Sequence, residues 1–147
     1  MPDQREIKSP WTSQEIVIID RAGRQSFPYW NALMTGGRID AQPIIRMQKV
    51  QEVGWPDAAQ VLFFSVGTRR KKRIVKKDDV IWELKCTPNC WRLYFYVSEQ
   101  PKHIVYVHAV CKKTDAEDPR DAASARQQYD CVSAGRCTTR PFRFPNG

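Results

Sequence analysis

The sequence predicts an α+β fold: a small, mostly antiparallel sheet, a meander of about three to five strands, with helices packed on one face. Three observations carry that prediction. Between residues 80 and 111, three runs rich in β-branched and aromatic residues follow one another with short polar links, the pattern of an antiparallel meander. Upstream, apolar residues recur at helical spacing behind residues suited to cap a helix. Downstream, Asp118-Pro119 opens a polar stretch as a cap followed by proline at the first helical position.

Taken in order, residues 1–12 are polar and expected to be loose. Glu15-Ile16-Val17-Ile18-Ile19-Asp20 is short, apolar and β-branched, hence a strand, and Arg21-Ala22-Gly23-Arg24 turns the chain. Ser26 can cap a short helix carrying Phe27, Trp30, Leu33 and Met34, ended by Gly36-Gly37. Asp40 can cap a second helix, with Pro43 in its first turn and Ile44, Met47 and Val50 on one face; Gly54-Trp55-Pro56 stops it. Gln60 to Val66 reads as a strand or as a loop resting on the core.

Strands follow at Val80–Lys85, Trp91–Ser98 and His103–Cys111. The last helix carries Ala122, Ala125, Arg126 and Tyr129, and Gly135 can stop it. The tail from Arg136 to Gly147 is expected to be mobile. No repeat and no second domain is visible, so residues 1–147 read as a single domain.

Charge narrows the partners. The chain has a formal net charge of +8 and a pI of about 9.4, a balance that favours polyanions such as nucleic acid or an acidic protein surface. Arg69-Arg70-Lys71-Lys72-Arg73-Ile74-Val75-Lys76-Lys77 holds seven basic residues in nine. Such a run is a solvated loop, a phosphate-binding arm that gains by releasing counterions, or a nuclear-localisation string. No apolar run approaches the roughly 20 residues of a membrane span, and the first residues lack the apolar core of a signal peptide. A cytoplasmic protein without membrane contact is therefore expected. Five cysteines, an odd number, argue in that setting against a disulfide framework and for buried thiols. Their spacing, with only His103 and His108 for company, does not make a zinc site, and no cofactor is expected.

Side chains alternate along strands. Val80, Trp82 and Leu84 share one face and Leu93, Phe95 and Val97 share one, so both sets are expected on the core. Glu83, Lys85, Arg92, Tyr94 and Tyr96 then fall together on an open face. Placing Val105, Val107 and Ala109 on the core adds Tyr106 and His108 to that face, with Lys112 and Lys113 at its rim. Such a surface suits RNA, with cations for phosphate and rings for stacked bases. Strand cleavage needs a group to move protons, for which histidine is suited, and cations to stabilise the phosphorane, for which arginine and lysine serve.

Trp82-Glu83-Leu84-Lys85, Trp91-Arg92-Leu93-Tyr94-Phe95-Tyr96, Val107 to Thr114 ending in Lys112-Lys113-Thr114, and Asp118-Pro119 with Ala122 to Arg126 occur in an order that resembles the HigB branch of the RelE/ParE toxin superfamily. The resemblance spans roughly residues 78–130. It implies a small sheet with helices on one face and an mRNA endonuclease, commonly ribosome-dependent, that works by metal-independent 2′-hydroxyl attack and is neutralised by a cognate antitoxin. Carried over, Lys85 stands at the arginine of E-L-R, Arg92 at the arginine of Y-R-x-x-Y, and Lys112 and Lys113 at the basic pair after the last strand. The implied catalytic set is Arg92, Lys113 and Lys112 with His108, Tyr94 or Tyr96 moving protons. Lys85, Arg69, Arg70, Lys71, Lys72 and Arg73 would hold RNA. Lysine at position 85 cannot make arginine's bidentate phosphate contact. A gyrase inhibitor of the ParE kind and a non-catalytic, phage-derived binding protein share the fold and remain alternatives.

Overall fold

The computed structural model describes residues 9–19, 25–26, 34–35, 38–39, 41–87, 90–112 and 119–142. Its frame is a seven-stranded, mostly antiparallel sheet. Strands β1 (Thr12–Ile19), β7 (Ile74–Lys76), β8 (Trp82–Lys85), β9 (Trp91–Glu99), β10 (Lys102–Cys111) and β11 (Thr138–Pro141) lie in the order β11-β1-β10-β9-β8-β7, and β2 (Gln25–Ser26) adds to β1. The expected meander is β8-β9-β10, antiparallel throughout. Among the described residues only β1 and β10 run parallel. Two small hairpins stand apart, β3 (Met34–Thr35) with β4 (Arg38–Ile39), and β5 (Phe63–Val66) with β6 (Arg69–Lys72).

Three helices complete the described chain: α1 (Ala41–Val53), α2 (Asp57–Val61) and α3 (Pro119–Ser133). The sequence predicts helices on one face of the sheet; they cover both. Ile44, Met47 and Val50 of α1 and Ala58 of α2 join Trp11, Ile74, Leu84, Leu93, Phe95, Ile104 and Tyr106 in one core. On the other side Ala125 and Tyr129 of α3 close over Ile81, Tyr94, Tyr96, Val105 and Val107. The cause lies in β9, where Leu93 and Phe95 point one way and Tyr94 and Tyr96 the other. Both faces are too apolar to leave in water, so both are covered.

Other expectations shift too. Ser26 pairs with Ile18 and Met34 with Ile39, so both stand in strands; residues 27–33, 36 and 37 lie outside the described residues. At the start, Trp11 is buried, and at the end β11 pairs with β1 while Phe142 donates its N–H to the Ser13 carbonyl at 2.9 Å. Residues 11–12 and 136–142 are thus part of the fold rather than loose ends. A strand gains by pairing its backbone groups with an otherwise open edge.

The cysteines also depart from expectation. Cys90 and Cys111 face each other where β9 begins and β10 ends, 4.8 Å apart at Cα, and form a disulfide. Cys131 and Cys137 form a second one, tying α3 to the segment before β11. Cys86 alone is a buried thiol. Pairing across neighbouring strands is invisible in a spacing of 21 residues. Among the described residues no helix is long and apolar enough to cross a membrane.

Candidate functional site

The meander does bring the expected residues of β8 and β9 to one face. Glu83 lies opposite Tyr94, and Lys85 opposite Arg92. On β10, Tyr94 faces His108 and Arg92 faces Val110. The register slips between Tyr106 and His108, a bulge that inserts one residue and reverses side-chain parity. Before it, Ile104 and Tyr106 point into the first core and Val105 to the other face, opposite to the alternation expected. After it, His108 falls on the expected face. Tyr106 is therefore no part of the site; it is fully buried, its ring 5.5 Å from Phe95.

This face is covered rather than open. Tyr94 is 1% exposed and Tyr96 8%, the latter edge-on to Tyr129 of α3 at 4.8 Å. Tyr94 donates its hydroxyl to Glu83 Oε2 at 2.9 Å, and Lys77 Nζ lies 3.5 Å from Glu83 Oε1. Burial, then the Glu83 charge, drives the Tyr94 phenol far above its ordinary range; burial pushes Tyr96 up to about 12. Both phenols keep their protons at neutral pH, and both rings are shielded from a substrate in this arrangement.

At the edge of the cover a smaller polar cluster forms. His108 Nε2 sits 3.1 Å from Asp121 Oδ1, and Lys112 Nζ 3.0 Å from Asp121 Oδ2. Asp121 stands in the first turn of α3, where a carboxylate is favoured by the helix dipole. It is the residue that sequence reasoning missed; an acid just after the Asp118-Pro119 helix start was the available signal. A histidine oriented by a carboxylate beside a lysine can relay a proton next to a bound anion. Lys85 and Arg92, directly opposed, concentrate positive charge on the same face, although Arg92 is only 6% exposed and donates to the Trp91 carbonyl. Lys113 lies outside the described residues.

The basic run is not a loop. Its first four residues form β6, paired with β5 as Phe63↔Lys72, Phe64↔Lys71, Ser65↔Arg70 and Val66↔Arg69. Gly67 begins the two-residue turn at φ +61°, where a side chain would be strained. Arg69, Arg70 and Lys72 are exposed and Lys71 half-buried. The Arg70 guanidinium lies 4.3 Å from the centre of the Phe63 ring. Among the described residues none of these four cations forms an ion pair.

Arg73 departs from the RNA-binding set. It is buried, and its Nη1 donates to the carbonyls of Lys85 at 2.8 Å and Thr87 at 3.1 Å. Burial, then the neighbouring Arg46, lowers its pKa. Its task is to fasten the base of the hairpin to the end of β8. Ile74–Lys76 becomes the sheet-edge strand β7. Comparison with known proteins finds no matching family model, no matching curated protein and no matching solved structure.

Proposed function

We propose that this protein binds nucleic acid, RNA foremost, through the β5–β6 hairpin. One observation carries the reading: Arg69, Arg70, Lys71 and Lys72 stand together on a two-stranded arm outside the main sheet, with no acidic partner among the described residues. A cation cluster left unneutralised in a chain of net charge +8 gains most by displacing counterions from a phosphate backbone. The Arg70 guanidinium rests over the Phe63 ring of the paired strand. The test is the affinity of a labelled single-stranded RNA measured by anisotropy over a salt series. Replacing Arg69, Arg70 and Lys71 together by alanine should weaken binding at least tenfold at low salt and flatten the log–log salt slope by about 2, at roughly 0.7 per phosphate contact. An unchanged slope would remove the hairpin from the interface.

A second reading is favoured by the His108–Asp121–Lys112 cluster: RNA cleavage of the RelE/HigB kind. The order of strand, helices, meander and proline-started helix supports the resemblance. In that reading the 2′-oxygen attacks phosphorus and the 5′-oxygen leaves, with His108 moving the proton and Lys112, Lys85 and Arg92 facing the charge. The protein would work in the cytoplasm on mRNA, on the ribosome, under the control of an antitoxin. His108→Gln should then abolish new mRNA 5′ ends in cells expressing the protein while leaving RNA affinity within about twofold. Cleavage that survives His108→Gln would exclude this cluster, and intact mRNA with arrested growth would favour a gyrase-type target.

A further inference from the structure

A groove of about 490 Å³ opens beside the base of the hairpin, lined in part by Trp55, Pro56, Lys72, Ile74, Lys76 and Trp82. Its size falls in the range of small-ligand sites. Trp55 and Trp82 form an edge-to-face pair, centroids 4.8 Å apart at 76°, and Trp55 is braced in turn by Phe95 at 5.6 Å. The indoles are thus held in place before anything binds. Lys76 is exposed, and its ammonium lies 5.6 Å from the Trp82 centroid, so that ring is within reach of groups at the surface. Lys72, the last residue of β6, belongs both to the groove and to the basic arm.

We infer that this groove takes an unpaired nucleotide, its base against the Trp82 indole and its phosphate between Lys72 and Lys76. The inference rests on the nucleic-acid reading above and names its substrate as single-stranded. Fixed rings that continue a line of cations are what a strand with splayed bases requires: stacking is open to any base, and the cations follow the backbone. A duplex hides its base faces and could use only the arm. On binding, the Lys76 ammonium exchanges the indole for the phosphate.

The probes are 12-nucleotide oligo(U), oligo(dT) and a 12-base-pair RNA duplex, titrated against the full chain by anisotropy and tryptophan fluorescence. Oligo(U) should quench fluorescence, and Trp82→Leu should weaken its binding about tenfold, with most of the loss restored in Trp82→Phe. Lys76→Gln, at an exposed site, should weaken single-strand binding severalfold and leave the duplex unaffected; it carries the test if Trp82→Leu fails to fold. Equal binding of oligo(dT) would support an unpaired base of either sugar, and preference for oligo(U) would identify RNA. If Trp82→Leu and Lys76→Gln bind oligo(U) as wild type while the Arg69/Arg70/Lys71 alanine variant does not, the groove is overturned and the arm stands. If wild type binds none of the probes, both fail.

Discussion

Gly54→Ala is expected to destabilise the protein by about 3 kcal/mol and lower Tm by roughly 10 °C, from a left-handed strain of about 1 kcal/mol, an overpacking cost of 1–3, and some 3 °C per kcal/mol at this size. Gly54 follows the last turn of α1, donates its N–H to the Val50 carbonyl at 2.9 Å, and has φ +82°. A Cβ there would meet Trp11 Cδ1 at 2.9 Å and Ser9 Oγ at 3.3 Å. Trp11 has little room to yield, because it is 4% exposed within the first core. Thermal melts of Gly54→Ala, Trp11→Leu and the double variant separate the two costs. Trp11→Leu removes the obstructing ring edge, so the double variant should be at least about 1 kcal/mol more stable than the sum of the singles. Strict additivity would leave the backbone strain as the whole effect.

Glu83→Ala should cost about 3–5 kcal/mol, the range seen when one member of a buried charge pair is removed. Glu83 is 4% exposed and faces both the Tyr94 hydroxyl and the Lys77 ammonium. Alanine removes the acceptor and the negative charge together. Glu83→Gln keeps an acceptor for the phenol and should lose less, about 1–2 kcal/mol, as should Tyr94→Phe. Urea unfolding measures each as a shift in midpoint at constant slope. A loss under about 1 kcal/mol would mean that the carboxylate is solvated and that its contacts with Tyr94 and Lys77 contribute little.

The meander, the stop at Gly54, the helix opening at Pro119 and its end near Gly135 could all be read from residues 41–135. Each rests on local physics, namely alternation, helical spacing, and the dihedral freedom of glycine and proline. The grouping of Glu83, Lys85, Arg92 and Tyr94 was legible for the same reason. Tyr106 lies off the expected face because a bulge leaves no mark in the sequence yet reverses every side chain on one side of it. Asp121 could not be found from local pattern because its partners, His108 near the end of β10 and Lys112 just after it, lie outside its helix.

Local pattern was enough for the β8–β10 meander, for helices α1 and α3, and for a strong positive charge. Which faces stay in water follows from how the elements pack on one another. Both faces of β9 are apolar enough to demand a cover, and local pattern cannot say which helix supplies it. α3 buried Tyr94 and Tyr96, the end of β8 took up Arg73, and strand pairing and the turn after α3 brought four cysteines together. The same packing left the β6 cations and the Trp55–Trp82 groove at the surface, because burial and pairing depend on contacts between residues distant in the chain.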